Sequence, residues 1–368
     1  MARYLFSGGG TLGPVTPLIA VMEELRAGQP EAEFLFIGTP EGPERRLVEA
    51  GGFRFIALSS PKLRRYFDWR NLLIPFAFAR SVAKAMTLMT LERPDVVVGA
   101  GGYVSVPVGV AAKILGCKLL IHQQDVTPSL SNRLLAWAAD AVTCAFEISL
   151  RDFPARKTEV VGNPVRPIFE HGDRAKGLAA LGFSGERPIV MAVGGGTGSR
   201  FMNELITLAS PLWAGFCDLV HVTGLDKAPV RPPTLEHPER YRMVEFVGED
   251  IAHYFAAADV VITRAGLGTL TELAALSKPI VLIPLADTQQ ETNAAYVVER
   301  GGARMFRELD LTPEQLVTFT RELLQKPEDM KKLGETLHGL FSGQARAALA
   351  DRIMKLALGN KISADKKI

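Results

Sequence analysis

Short apolar runs alternate along this chain with longer stretches in which apolar positions recur every three or four residues. The runs at 2–7, Phe34–Ile37, Phe53–Leu58, Val96–Val98 and Leu119–Ile121 predict strands, and 15–26, 44–50 and about 70–92 predict helices. Strands without a polar face, separated by helices, belong to a parallel sheet covered on both sides, which is a doubly wound α/β domain. From Pro188 the plan restarts, with strands predicted at 188–193, 219–222, 243–247, 260–262 and 280–283 and helices over about 313–357.

Length agrees with that repetition, since 368 residues exceed what one core serves, roughly 250 to 300. The expectation is two Rossmann-like domains facing a cleft: 1–165, 166–340, and a terminal helix over 341–368 that crosses back to the first. Asn163-Pro164-Val165-Arg166-Pro167 marks the boundary, with two prolines bracketing a strand exit.

A net charge of +2 gives no reason to expect a nucleic-acid partner. The three cysteines, Cys117, Cys144 and Cys217, lie in apolar surroundings and read as buried thiols of a reducing compartment. With no signal sequence and no uninterrupted apolar run of about 20 residues, the expectation is a cytoplasmic protein that does not span the membrane.

Chemistry is expected in the turns that leave the strands. Ser7-Gly8-Gly9-Gly10-Thr11-Leu12-Gly13-Pro14 follows the first strand, and Gly194-Gly195-Gly196-Thr197-Gly198-Ser199 follows the first strand of the second half. Such turns present backbone N–H groups at a helix start and favour anions such as diphosphates. Arg264-Ala265-Gly266-Leu267-Gly268-Thr269 opens another helix, whose Glu272 suits a pair of neighbouring hydroxyls or, alternatively, caps the helix. Gln289, Gln290 and Asn293 offer the donors and acceptors that sugars need. In the first half, Gly101-Gly102-Tyr103-Val104-Ser105 and His122-Gln123-Gln124-Asp125 form a second polar edge. No residues have metal-ligand spacing, so no metal or other cofactor is expected. The stretch from Lys62 to Lys84 interleaves aromatic and basic residues, which suits an anionic bilayer surface or a half-buried helix.

Together these loops resemble the MurG family of peptidoglycan N-acetylglucosaminyltransferases, glycosyltransferase family 28, from Gly8 to about Ala303. The carrying motifs are Gly8 to Gly13, Gly101 to Ser105, Val161-Gly162-Asn163-Pro164-Val165-Arg166, Arg264 to Glu272, and Gln289-Gln290 with Asn293. The resemblance implies a GT-B fold that inverts the anomeric centre while moving N-acetylglucosamine from UDP-N-acetylglucosamine to lipid I, giving lipid II. It implies peripheral attachment at the cytoplasmic face of the membrane through about 62–84. On the donor side it implies Arg166, Gly195, Gly196, Thr197, Ile251, Arg264, Gly266, Leu267, Thr269, Glu272, Gln289, Gln290 and Asn293, with uracil held by backbone near Ile251. On the acceptor side it implies Gly9, Gly10, Thr11, Leu12, Gly13, Gly102, Tyr103, Ser105 and Gln124, with the acceptor's diphosphate on backbone N–H groups of Gly8 to Gly13.

The chain departs from the family pattern where the base is expected. Pro14 replaces the first-loop histidine, Gln123 replaces a glutamate, and Asp125 brings a carboxylate two positions on. Asp125 or His122 is therefore the expected proton acceptor. The alternatives are a related glycosyltransferase with another acceptor, a UDP-sugar epimerase, or a non-catalytic homologue that binds a UDP-sugar or lipid.

Overall fold

The computed structural model describes residues 1–61, 74–229, 234–248, 250–341 and 343–365. The chain divides into two compact units, Met1–Arg166 with Gly343–Ile368, and Pro167–Ser342.

The first unit runs β1 (Arg3–Ser7), α1 (Thr16–Gly28), β2 (Glu33–Gly38), α2 (Glu44–Ala50), β3 (Arg54–Ala57), α3 (Ile74–Glu92), β4 (Val96–Gly99), α4 (Ser105–Leu115), β5 (Lys118–Gln123), α5 (Leu130–Ala136), β6 (Ala141–Cys144) and β7 (Thr158–Val160). Its strands form one parallel sheet in the order β3-β2-β1-β4-β5-β6-β7. The last two strands escaped the hydrophobic pattern because Thr158-Glu159-Val160 is a short, largely exposed edge and Ala141 to Cys144 lacks a bulky run. The first four residues of the helix expected at 70–92 lie outside the described residues, as does 62–73 of the basic and aromatic stretch.

The second unit contains α6 (Arg174–Leu181), β8 (Ile189–Val193), α7 (Arg200–Trp213), β9 (Asp218–Val222), β10 (Tyr241–Val244), α8 (Ile251–Ala257), β11 (Val260–Thr263), α9 (Leu267–Ala275), β12 (Ile280–Leu282), α10 (Gln289–Glu299), β13 (Arg304–Met305), α11 (Pro313–Leu324) and α12 (Pro327–Leu340). Its parallel sheet has the order β10-β9-β8-β11-β12-β13. The strand expected at 243–247 starts two residues earlier, because Tyr241 and Arg242 pair with Leu219 and Val220, and Phe246 has already left the sheet into solvent. In α7 the core residues Met202, Leu205, Ile206, Ala209 and Trp213 recur at helical spacing.

The final helix, α13 (Ala345–Asp365), belongs to the first unit. Leu349, Ile353 and Ala357, four residues apart, share a core with Leu18 and Met22 of α1. Burying Leu349 and Ile353 contributes about 1.5–3 kcal/mol each. Arg346 adds an ion pair to Glu24 at 2.7 Å and a hydrogen bond to the Val165 carbonyl at 3.2 Å.

Both sheets reverse their winding beside their first strand, between β1 and β4 and between β8 and β11. At such a switch point neighbouring strands send their turns in opposite directions and leave a crevice at the carboxyl edge, where these sheets bind ligands.

Candidate active site

In the first unit the turns after β1 and β4 pack on each other at the switch point. Gly102 has φ +83, and a Cβ there would run into the Gly9 carbonyl, so only glycine permits this approach. The Tyr103 ring reaches the space above Gly10, where a Cβ would stand 3.1 Å from it. Gly10 and Thr11 are exposed and Leu12, Gly13 and Pro14 partly so. Pro14 is not the first helical residue, because α1 starts at Thr16, with Val15 and Thr16 both donating to the Leu12 carbonyl.

Sequence reasoning passed over Glu44, which sits at the start of α2 and is fully buried against this turn. Its Oε1 accepts from the Thr39 amide at 2.7 Å, from the Thr39 hydroxyl, and from the Gly10 amide at 3.4 Å. The Thr39 side chain also bonds Tyr103, so both glycine turns share one network. The Gly8 amide points to the Ile37 carbonyl at 3.4 Å. Of the backbone N–H groups from Gly8 to Gly13 expected to hold an acceptor diphosphate, those of Gly8 and Gly10 are engaged inside the protein. An acid directly after a Gly-Pro pair, at a helix start, was the available signal.

Two further expected ligand groups are likewise committed internally. The Ser105 hydroxyl faces the Gly101 carbonyl at 2.6 Å and the Ser7 carbonyl at 3.1 Å, and its side chain is buried. His122 is fully buried, with Nε2 3.2 Å from Asn163 Oδ1 and Nδ1 3.0 Å from the Thr143 hydroxyl. The amide oxygen can only accept, so Nε2 carries the proton and Nδ1 accepts from threonine. Desolvation lowers its pKa to about 4, despite the opposing Asn163 hydrogen bond. His122 is thus neutral and has no face for a substrate.

Asp125, half-buried, follows on the same loop. Gln123 supports that loop: its Nε2 donates to the carbonyls of Asp125 at 2.7 Å and Thr127 at 3.3 Å, while its Oε1 accepts from Asn132 at 2.7 Å. Gln124 is buried, its Oε1 has no partner among the described residues, and its Nε2 lies near Gly13.

In the second unit the turns after β8, β11 and β12 gather at the carboxyl edge. Gly195 has φ +81 and lies open, and Gly196 and Thr197 are exposed. Ser199 caps α7 by accepting from the Met202 amide at 3.3 Å. Gly266, Thr269 and Gln289 are partly exposed, whereas Leu267, Glu272 and Asn293 are buried. Glu272 lies in the second turn of α9. Asn293 Nδ2 donates to the Ala265 carbonyl at 3.2 Å, tying α10 to the turn after β11, and Gln290 Oε1 accepts from the Leu285 amide at 3.0 Å. Ile251 is partly exposed at the start of α8; Glu249 of its loop lies outside the described residues. Arg166 ends the first unit, apart from these residues in sequence and in unit.

Arg264, expected on the donor side, is held by partners within the second unit. Its guanidinium is buried, forms an ion pair with Glu308, and donates to the Ile283 carbonyl at 2.8 Å and to Ser199 Oγ at 2.7 Å. A buried charge needs such partners, and these turn the arginine into a brace for the glycine turn. Among the described residues no group of three or more His, Cys, Asp or Glu side chains could hold a metal ion.

Two Rossmann-like units with glycine-rich turns at both switch points define a GT-B protein. Residues 4–144 match the glycosyltransferase family 28 N-terminal domain and residues 189–348 its C-terminal domain, and the chain belongs to this family. It is 37% identical over 327 residues to the UDP-N-acetylglucosamine--N-acetylmuramyl-(pentapeptide) pyrophosphoryl-undecaprenol N-acetylglucosamine transferase of Shouchella clausii, covering 88% of this chain and 91% of that one. The crystal structure of Acinetobacter baumannii MurG superposes with a TM-score of 0.71 at 25% identity, over 96% of this chain and all of the other. A UDP-GlcNAc 2-epimerase from Neisseria meningitidis shares the fold, with a TM-score of 0.65 at 12% identity over 96% of this chain and 99% of its own.

Proposed function

We propose that the protein transfers N-acetylglucosamine from UDP-N-acetylglucosamine to lipid I with inversion, forming lipid II. The observation that carries the reading is the match of both units to family 28, with polar turns at the carboxyl edge of each sheet. The donor falls to the second unit: Gly195, Gly196 and Thr197 receive the diphosphate, Glu272 the ribose, Gln289 and Gln290 the sugar, and backbone near Ile251 the uracil. Leu267, Thr269, Gly266 and Asn293 shape that surface. The acceptor falls to the first unit, at Gly9 to Gly13, Gly102, Tyr103 and Gln124.

In the reaction the acceptor hydroxyl oxygen bonds to the anomeric carbon opposite UDP. The bond from that carbon to the diphosphate oxygen breaks, and its electron pair leaves with UDP. Asp125 takes the hydroxyl proton, a part for which His122 is too deeply buried and Pro14 has no group. His122 positions the loop.

Attachment to the cytoplasmic membrane surface is supported by apolar side chains left in solvent on helices of the first unit. Phe76 on α3, Ile114 on α4, and Leu130 and Leu134 on α5 with the following Trp137 are all more than half exposed. Arg80, Lys84 and Arg133 stand among them to meet lipid phosphates. No described helix is long and apolar enough to cross a membrane.

Incubating purified protein with UDP-N-acetylglucosamine, with and without lipid I, tests the reading. Release of UDP only when lipid I is present supports transfer; conversion of the donor to an isomeric UDP-sugar without acceptor refutes it.

A further inference from the structure

We propose that Lys227 is a catalytic residue, whose ammonium group on the second glycine turn neutralises the charge that gathers on the departing nucleoside diphosphate. The inference rests on the donor assignment above and adds to it a residue outside the motifs that carry the family resemblance.

Three observations converge. Charge is needed at this turn, yet Arg264, which bonds its Ser199, is spent: it is paired with Glu308 and also held by the Ile283 carbonyl. Lys227, in contrast, reaches the turn with its charge uncancelled. Its Nζ donates to the Gly198 carbonyl at 3.0 Å, leaving two N–H bonds, and no carboxylate lies within 4.0 Å of it among the described residues.

The position is built rather than accidental. Gly198 has φ +69, and a Cβ there would strike the Thr223 carbonyl, so the turns after β8 and β9 are in contact. Asn203 of α7 donates to the carbonyls of Thr223 at 2.9 Å and Lys227 at 2.8 Å, fixing the backbone that carries the lysine. Asn203 is fixed in turn by buried His221, whose Nε2 donates to its Oδ1 at 3.1 Å.

The third observation is electrostatic. Lys227 meets the turn that opens α7, and Arg200 is the first residue of that helix. Cations at the positive end of a helix dipole are unfavourable by themselves and become favourable when an anion binds between them. During transfer the glycosidic carbon–oxygen bond breaks and its electron pair moves to the diphosphate. A fixed ammonium there acts more strongly on the leaving group than on the bound donor.

The test uses the full chain with Lys227→Gln, which keeps a donor for Gly198 but removes the charge, and Lys227→Arg, which keeps the charge. Calorimetry with UDP and with uridine, beside steady-state kinetics, separates the possibilities. The expected result for Lys227→Gln is UDP affinity weaker by roughly 10-fold or more, uridine affinity unchanged, and a lower kcat, with Lys227→Arg restoring much of both. Equal weakening of UDP and uridine would reduce the lysine to a brace and overturn the proposal, as would unchanged UDP affinity. Failure of the unsubstituted protein to bind UDP would instead overturn the donor assignment, and the lysine's part with it.

Discussion

Gln123 Nε2 donates to the backbone carbonyl of Asp125 at 2.7 Å, so the amide side chain fixes the turn that carries the carboxylate. Where the family pattern has a glutamate, this chain has the support for an acid two residues on. Asp125→Asn keeps the size of the side chain and removes its basicity. Its kcat for transfer is expected to fall by roughly 10²- to 10⁴-fold with a smaller change in KM. Full turnover by this variant in a steady-state assay would remove the aspartate from the mechanism.

Gly102 and Gly9 meet so closely that the contact holds both first-unit turns in place. Gly102→Ala adds a Cβ at φ +83 and drives it into a carbonyl, at a cost of about 2 kcal/mol or more. Urea unfolding should show that loss, and acceptor KM should rise while UDP affinity stays as it was.

Glu308 and Arg264 are another coupled pair, both largely buried. Glu308→Ala leaves the guanidinium in place without its counter-charge, a loss on the order of 3–5 kcal/mol. Because Arg264 also bonds Ser199, the cap of α7, UDP affinity should fall together with the urea midpoint. An unchanged midpoint would mean that the pair contributes nothing to stability.

Two buried histidines make stability depend on pH. His122 and His221 are each lowered to about 4 by desolvation, against about 6.5 when unfolded. Below 6.5 the unfolded chain takes up protons that the native state refuses. Their contribution is therefore complete above about pH 6.5 and is lost as the pH falls toward 4, on the order of 3 kcal/mol for each. Urea midpoints measured from pH 7.5 to 4.5 should fall steadily, and His122→Asn should flatten the slope.

The β-α alternation, both glycine turns and the restart at Pro188 were legible because strand and helix periods are local properties of the chain. Burial and partnership were not. Nothing local to His122 tells that Asn163, 41 residues on, will occupy its ring nitrogen, or that Glu308 will neutralise Arg264 from 44 residues away. Glu44 was missed for the same reason, because its meaning comes from Gly10 across the β1–β2 edge. Lys227 lies past the end of β9, on a turn that reaches Gly198 only through tertiary contact.

The central claim is transfer to a lipid-linked acceptor despite a missing first-loop histidine. Mass spectrometry of the lipid fraction, after incubating purified protein with lipid I and UDP-N-acetylglucosamine, tests it directly. Lipid I is expected to gain one N-acetylhexosamine residue as UDP appears in equal amount. An unchanged lipid fraction, with UDP bound normally by the protein, would contradict it.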